Sequence, residues 1–340
     1  MFKKQVSIIC PIFNEGKFIE KCIDSILSQD YPRELYEFIL VDGMSTDDTL
    51  EKVKVYTQSY SFIKLIVNPH KVVPFGLNLG IKASKGDVII RLDGHCEYPQ
   101  NYISELVKYL YELNADNVGA VWNTLPAKNN SICKAIAFGS SHKFGVGNSK
   151  HKVGATEIME TDTVPFGCYR REIFDKIGFF DEELIRNQDD EFNGRLIKNG
   201  GKIFLIPHLV INYIARDSIQ KMSKMFYQYG LFKPLVNKKL GAPATIRQFF
   251  PVVFVLGLIV GAIVSIFSKI LFLVYLFILG FYLILASFFS IKSALIENDW
   301  KLIIFIPLIF IVIHISYGFG YLIGIYKIIF KEKINVQINR

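Results

Sequence analysis

Residues 86–98 read GDVIIRLDGHCEY: β-favouring apolar residues and one arginine lead into Asp93, Gly94 and His95. In an extended chain, residues i and i+2 point the same way. The Asp93 carboxylate and the His95 imidazole therefore leave the strand tip on one side. One oxygen and one nitrogen donor so placed can bind a divalent cation, Mg²⁺ or Mn²⁺, and Mn²⁺ tolerates nitrogen better. Such a cation would neutralise a diphosphate. The same pair could equally sit in a solvated turn, so the neighbouring strand ends carry the decision. Asp42 follows FILV and precedes GMSTDDT. Its carboxylate can accept hydrogen bonds from a nucleobase, and Gly43 lets the backbone come close. Pro11, Asn14 and Glu15 end another apolar run and lie beside Asp42 if the two strands are neighbours. A fourth cluster, IRNQDDEFNGRLIKNG, sets Asp189, Asp190 and Glu191 at a helix start, where the macrodipole stabilises anions. Any one of these acids is also ordinary N-terminal helix charge. An acid aimed at a metal-bound diphosphate could in addition take the proton from an incoming hydroxyl.

These residues need a scaffold that brings strand ends together, and the first 120 residues supply the pattern for one. Short apolar runs at VSIIC, YEFILVD, FIKLIV, Val88–Leu92 and VGAVW alternate with helical periodicity at KFIEKCIDSILSQ, around Leu50–Val55, at Pro74–Ser84 and at PQNYISELVKYLYEL. That alternation predicts a mostly parallel α/β sheet, whose ligands bind beyond the carboxyl ends of the strands. Residues 123–165 are less periodic, and GSSHKFGVGNSKHKVGA reads as a mobile loop. Its G-V-G lacks the third glycine and the strand–turn–helix context of a dinucleotide fingerprint. Helices follow at YRREIFDKIG and NQDDEFNGRLIKNG, with a strand at KIFLIP.

The chain has 340 residues and a net charge of +8, divided evenly between 1–247 and the far more apolar 248–340. No Lys/Arg-rich run with interleaved aromatics suggests a nucleic-acid groove, so nucleic acid is excluded as a partner and a lipid bilayer is favoured. Five scattered cysteines without a C-x-x-C pair predict free, buried thiols. The apolar run at the N-terminus is too short for a signal peptide, which puts the head in the cytoplasm. The expected organisation is a catalytic domain over 1–216, an amphipathic interfacial segment over 217–247, and a transmembrane region over 248–330 followed by a basic tail, 331–340. Apolar segments at 250–267, 270–290 and 302–326 are each long enough to cross about 30 Å of hydrocarbon. Three full crossings would put the C-terminus outside, whereas Lys327, Lys331, Lys333 and Arg340 favour the inside. Gly318, Gly320 and Gly324 suggest close helix packing.

VSIICPIFNE, ILVDGMSTDDT, GDVIIRLDGH and NQDDEFNGRLIKNGG together resemble, in order and spacing, the family 2 inverting glycosyltransferases of the GT-A fold, over roughly residues 5–235. VPFGCYRREIFDKIGFFDE, GVGNSK and the apolar tail look more narrowly like the membrane-anchored succinoglycan-type exopolysaccharide glucosyltransferases. The resemblance implies a GT-A fold, a mostly parallel mixed sheet followed by helical transmembrane segments. It also implies a nucleotide-diphospho-sugar donor, with uridine as the base, and a polyprenyl-diphosphate-linked saccharide acceptor at the inner membrane. By position, Pro11, Asn14, Glu15, Asp42 and Gly43 line the nucleotide site, and Asn78, Arg91 and Asp93 flank the donor. Asp93 and His95 stand at the metal motif, usually D-x-D, and hold Mn²⁺ or Mg²⁺. Gln188-Asp189 replaces the usual Glu-Asp, which makes Asp189 the general base and Asp190 its fallback. Gln188, Asp190 and Arg170, with Arg171, are assigned to the acceptor. The Q-x-x-R-W of processive synthases has no match after Gln228. The competing expectations are transfer directly onto polyprenyl phosphate, which needs no base, and a non-catalytic nucleotide-binding membrane scaffold.

Overall fold

The computed structural model describes residues 3–243 and 245–334; the end of the expected basic tail, with Arg340, lies outside the described residues. Elements run β1 (Val6–Ile12), α1 (Ile19–Leu27), β2 (Tyr36–Asp42), α2 (Thr49–Ser59), β3 (Ile63–Val67), α3 (Val73–Ala83), β4 (Val88–Arg91), β5 (Cys96–Glu97), α4 (Tyr102–Glu112) and β6 (Asn117–Leu125). Then follow α5 (Ser131–Ser141), α6 (Lys143–Val146), α7 (Lys150–Val153), β7 (Met159–Glu160), β8 (Cys168–Arg170), α8 (Glu172–Ile177), α9 (Gln188–Lys198) and β9 (Ile203–Ile214). Four long helices close the chain: α10 (Ile219–Leu240), α11 (Phe250–Ser265), α12 (Lys269–Glu297) and α13 (Leu302–Ile329).

Among the described residues two compact units result, 3–123 with 154–213, and 124–153 with 214–243 and 245–334. In the first, the described strands form one nine-stranded sheet of order β3-β2-β1-β4-β8-β6-β9-β5, with β7 on β9. The strands β3, β2, β1 and β4 are parallel, and β8 enters antiparallel against β4. The parallel strands are apolar without a break because both faces are covered. Ile8, Cys10, Phe38, Leu40 and Ile90 pack with α1 and α4, while the alternate residues Ile9, Ile39, Val41 and Ile89 pack with Leu77 and Ile81 of α3 and with Phe192 of α9. In register Ile12 lies level with Asp42 and Ile9 with Arg91, so the polar strand ends gather at one edge. All five cysteines are free and buried, and burial pushes the thiols of Cys10, Cys96 and Cys168 up, away from the reactive thiolate.

In the second unit, the stretch expected to be a mobile loop is largely helical. Ala135 and Ile136 of α5 share a core with Met222, Phe226, Ile309, Phe310 and Ile313. An apolar face satisfied only by another helix leaves weak periodicity in an 11-residue segment, and this packing draws 124–153 into the unit of the apolar helices rather than the catalytic domain expected over 1–216. The segment expected at the interface, α10, also has a core face. Its Gly230 meets the backbone of α13 at Tyr317, and Gly320 and Gly324 of α13 meet the backbone of α10 at Tyr227 and Leu231. Gly318 packs on Pro251, so the small-residue pattern does serve helix contact. Among the described residues three helices are long and apolar enough to cross a membrane, Ile246–Ser265, Lys269–Glu297 and Leu302–Ile329.

The α10–α13 crossing makes a prediction against helix propensity. Alanine normally gains about 1 kcal/mol over glycine inside a helix. At Gly230 the added methyl meets the Tyr317 carbonyl, whereas at Gly280 nothing lies within 4 Å. Gly230→Ala is expected to lose about 1–3 kcal/mol through overpacking, read as a lower Tm in a fixed detergent. Gly280→Ala should leave Tm unchanged or slightly raised.

Candidate active site

Arg91 ends β4 fully enclosed, and its two terminal nitrogens hold the two carboxylates that sequence spacing singled out. Nη2 lies 3.0 Å from Asp93 Oδ1 and Nη1 3.5 Å from Asp189 Oδ2. One guanidinium therefore bridges residues 96 positions apart in the chain. The ring of Phe166, in a left-handed backbone conformation (φ 49°), lies 5.0 Å beneath the guanidinium. Burial alone would lower the Arg91 pKa, but the charges of Asp189 and Asp93 outweigh it and hold the group protonated. Asp189 behaves differently. Burial raises its carboxyl to about 6, the Arg91 charge opposes that rise, and Asp93 and Asp190 add to it. Its Oδ1 is enclosed with no hydrogen-bond partner among the described residues. The side chain still keeps 25% of its surface open. A carboxylate held by one oxygen, with the other oxygen unengaged and a pKa near neutrality, is suited to accept a proton.

The loops after β1 and β2 clamp one another. The Asn14 N–H donates to Ser45 Oγ (2.9 Å), the Glu15 N–H to Thr49 Oγ1 (2.7 Å), and the Thr46 N–H donates to Asn14 Oδ1 (2.8 Å). Asn14 does this from the left-handed region, φ 55°, which asparagine tolerates better than most side chains. Asp42 accepts from Ser45 Oγ at 2.6 Å and Ser45 N at 3.1 Å, and so shapes the turn that follows it. Gly43 donates to Ile12 O at 2.8 Å, and a side chain there would crowd the Lys71 carbonyl. Pro11 lies beside Gly76 of α3. His95 Nδ1 sits 3.3 Å from Glu15 Oε1, joining the β1 loop to the Asp93 turn.

Other expected residues lie elsewhere. Asn78 spends its amide on Phe180 and Glu182: Nδ2 donates to Phe180 O and Glu182 Oε1, and Oδ1 accepts from Phe180 N. It pins α3 to the segment before α9 instead of facing a donor. Arg170 is level with Val88, at the start of β4, the opposite end from Asp93. Its guanidinium donates to Ala115 O and Asn114 Oδ1, and Arg171 turns to Gly86 O and Ser84 Oγ. Neither arginine is at the site, because β8 runs antiparallel to β4. Gln188 is buried at the first position of α9, and Asp190 is half-buried beside Asp189.

Three supporting side chains escaped the sequence reading. Tyr98 OH bonds both the N–H and the C=O of Asp93 (3.0 and 3.1 Å) and fixes the turn. Tyr213 sits 5.7 Å from the His95 ring and stacks on Trp122 at 4.3 Å. Asn193, one turn beyond Asp189, is fully buried and bonded to Asn117 and Thr163. Tyr98 stood within the quoted motif, but a tyrosine after a turn carries no signal of what its hydroxyl reaches.

The sequence profile of glycosyl transferase family 2 matches residues 7–178, which hold the clamped loops, Arg91, Asp93 and His95. The chain belongs to that family. A dolichyl N-acetyl-α-D-glucosaminyl phosphate 3-β-D-2,3-diacetamido-2,3-dideoxy-β-D-glucuronosyltransferase of Methanococcus voltae is 28% identical over 330 residues, covering 95% of this chain and 97% of its own. The succinoglycan biosynthesis protein ExoA of Rhizobium meliloti is 27% identical over 72% of this chain and 73% of its own. Among solved structures, the mannosyltransferase PcManGT of Pyrobaculum calidifontis, in complex with GDP-Man and Mn²⁺, superposes with a TM-score of 0.60 at 17% identity, over 93% of this chain and 88% of that one. The sheet is thus the mixed sheet of a GT-A glycosyltransferase, and the chain is a glycosyltransferase.

The GT-A fold implies a divalent cation, and the residues present are compatible with one. Among the described residues no group of three or more His, Cys, Asp or Glu is arranged around a metal, so Asp93 and His95 would supply two donors and the diphosphate and water the rest. The Glu15–His95 contact favours this. A carboxylate on one ring nitrogen fixes the tautomer that presents the other nitrogen to a metal.

The raised carboxyl of Asp189 has a stability signature. An acid whose pKa is higher folded than unfolded binds more protons when folded, so its contribution falls as pH rises from about 4, the unfolded carboxylate range, to about 6. Asp189→Asn removes the ionised form. Relative to parent, its Tm should be higher at pH 7.5 than at pH 4, and an equal difference at both would contradict the buried-carboxylate geometry.

Proposed function

We propose that this glycosyltransferase moves a sugar from a nucleotide-diphospho-sugar to a hydroxyl of a lipid-linked saccharide, with inversion, at a cytoplasmic membrane face. The observation that carries the reading is Arg91 holding Asp93 and Asp189 at one site, a diphosphate-side residue beside a raised-pKa base. Asp42 and the loop of Pro11, Asn14, Glu15 and Gly43 form the nucleotide side; the turn carrying Asp93 and His95 receives the diphosphate. Those two residues would hold Mn²⁺ or Mg²⁺, and the cation, when bound, supplies charge neutralisation to the departing nucleoside diphosphate. Arg91 lies between the Asp93 and Asp189 carboxylates and opposes the rise that burial gives Asp189. The Asp189 carboxylate, a quarter of whose side chain stays open, takes the proton of the acceptor hydroxyl as that oxygen attacks the anomeric carbon on the face opposite the diphosphate. The C–O bond to the diphosphate breaks in the same displacement, and the anomer inverts.

Relatives inform donor and acceptor class. PcManGT is complexed with GDP-Man and Mn²⁺, and the M. voltae enzyme acts, by its name, on a dolichyl-phosphate-linked sugar. The three apolar helices favour an acceptor that resides in a bilayer, and the lysine-rich, acid-free stretches next to them favour the cytoplasmic side. Holding both enzyme and acceptor at one surface raises their effective concentration.

Transfer from a panel of UDP- and GDP-sugars to extracted lipid-linked acceptors, read by mass spectrometry, tests the assignment. kcat should rise along an acid limb near pH 6, as Asp189 ionises. Asp189→Asn should lose about 10²–10⁴ in kcat, the range of general base catalysis, with little change in donor KM. Full activity in that variant would favour transfer onto polyprenyl phosphate, whose oxygen needs no base. Nucleotide binding without turnover of any donor in the parent would favour the scaffold.

A further inference from the structure

Asp189 Oδ1 has company beneath the active site. Arg91 Nε, the Tyr169 hydroxyl and Asn117 Oδ1 are likewise enclosed with no hydrogen-bond partner among the described residues. The fold brings all four groups to one face of the sheet. Ile90 is level with Cys168, which sets Arg91 opposite Gly167, and the Arg91 N–H donates to the Gly167 carbonyl at 3.0 Å. Tyr169 stands two residues beyond Gly167, so its side chain leaves β8 on the same face. It leans back over that glycine. A Cβ on Gly167 would lie 2.6 Å from the Tyr169 hydroxyl and 2.5 Å from Asn117 Oδ1. Both atoms therefore converge on one spot, level with Arg91. Helix α9 covers that spot: the Phe192 ring lies 5.3 Å from the Tyr169 ring. Asn193, one turn from Asp189 on the same helix face, accepts from Asn117 Nδ2 at 2.9 Å. With Arg91 Nη1 3.5 Å from Asp189 Oδ2, the chain of contacts closes on itself. Burial pushes the Tyr169 hydroxyl up, the charge of Asp189 adds to that rise, and Arg91 and Asn117 oppose it.

We propose that Tyr169 is a positioning residue for the general base, its hydroxyl joined to the inward oxygen of Asp189 through one internal water that Asn117 and Arg91 also hold; this rests on the reading of Asp189 as the base. The donors and acceptors balance. Arg91 Nε and the Tyr169 hydroxyl each have one proton to give, and Asp189 Oδ1 and Asn117 Oδ1 each have a lone pair to fill. A single water accepts from the first two and donates to the second two; internal waters typically make about three such bonds. A direct contact does less, because one phenolic proton serves only one of the two oxygens. Fixing the inward oxygen aims the open edge of the carboxylate at the acceptor hydroxyl. The alternative, an orphaned hydroxyl at a fully buried position, is a plain cost. Phenylalanine would fill the same space against Phe174, Phe180 and Phe192 without it. The charged and titratable groups that face Asp189 are Arg91 from β4, Asp93 from the turn after it, Asp190 from α9 itself and Tyr169 from β8.

The test compares Tyr169→Phe with the parent, both as full chains in one detergent. Thermal unfolding is read at pH 7.5, and kcat and KM are read across pH with the donor and lipid-linked acceptor that turn over. Tyr36→Phe is the control. It removes a buried hydroxyl bonded to Ile26 O at the start of β2, the opposite end from Asp42, and should match the parent in kcat and acid limb. Tyr169→Phe should lower kcat about tenfold, the scale of one hydrogen bond to a charged group, with both KM values unchanged. Its acid limb should move to higher pH, because support for the ionised carboxylate has weakened, and its Tm should fall. An orphaned hydroxyl predicts the reverse: parental kcat and acid limb with Tm held or raised. That result overturns the proposal, and so does a lower Tm with parental kcat and acid limb, which would assign Tyr169 to the fold alone. In the Asp189→Asn background, Tyr169→Phe should lower kcat far less than it does alone, since its effect passes through the carboxylate; an equal loss overturns the proposal. Asp189→Asn at parental kcat removes the base reading and the proposal with it. An impaired Asp189→Asn beside a parental Tyr169→Phe removes the positioning role and leaves the base in place.

Discussion

A guanidinium enclosed at the end of a central strand is the constraint on which the catalytic unit depends. Arg91 cannot lose its proton, and stripping water from it is costly unless anions replace that water. Asp93 and Asp189 do so at 3.0 and 3.5 Å, with Phe166 covering the flat face. The demand runs both ways. Two carboxylates brought this close would repel one another and take up a proton without the cation between them. The rise of Asp189 to about 6 is what remains after Arg91 has opposed burial. Arg91 thus keeps the carboxyl low enough to ionise near neutrality, and burial keeps it basic enough to accept a proton.

The surrounding polar contacts hold this triad in register. Tyr98 closes the Asp93 turn on its own backbone, Glu15 faces His95, and the β1 and β2 loops exchange hydrogen bonds through Asn14, Ser45, Thr46 and Thr49. On the other side, Asn193 ties α9 to Asn117 and Thr163 one turn below Asp189. Apart from the exposed Thr46, each of these groups is buried or half-buried, so breaking one would leave its partner unsatisfied. That is why a helix start and a strand tip far apart in sequence can be held together without a covalent link.

What the sequence displayed well was everything local or repeated along one strand. VSIIC, YEFILVD and FIKLIV are apolar without interruption because helices cover both faces of a parallel sheet, and their polar ends were visible as breaks in that pattern. Asp42, Asp93 and Asp189 could be picked out in this way, since type and position along an element decide them. Arg170 and Asn78 could not. The first is placed by the antiparallel register of β8 on β4, and the second by partners 102 and 104 residues away. The same limit hid α5: its apolar residues make a face only once α13 lies against them.

The second unit obeys a complementary logic. Ile266, Phe267 and Ile270, around the turn between α11 and α12, are 79%, 82% and 72% exposed. So much contiguous apolar surface is untenable in water and ordinary in hydrocarbon. Helices there satisfy their own backbones, and Tyr275 OH, which would otherwise be stranded, donates to the Leu258 carbonyl across the hairpin. At the other end of α11 the composition inverts within a few residues, from Phe250 to Arg247 and the lysines of α7 and α10. A stretch that changes from apolar residues to lysine- and arginine-bearing ones without any acid over so short a distance matches the profile of a bilayer edge, where chains give way to headgroups.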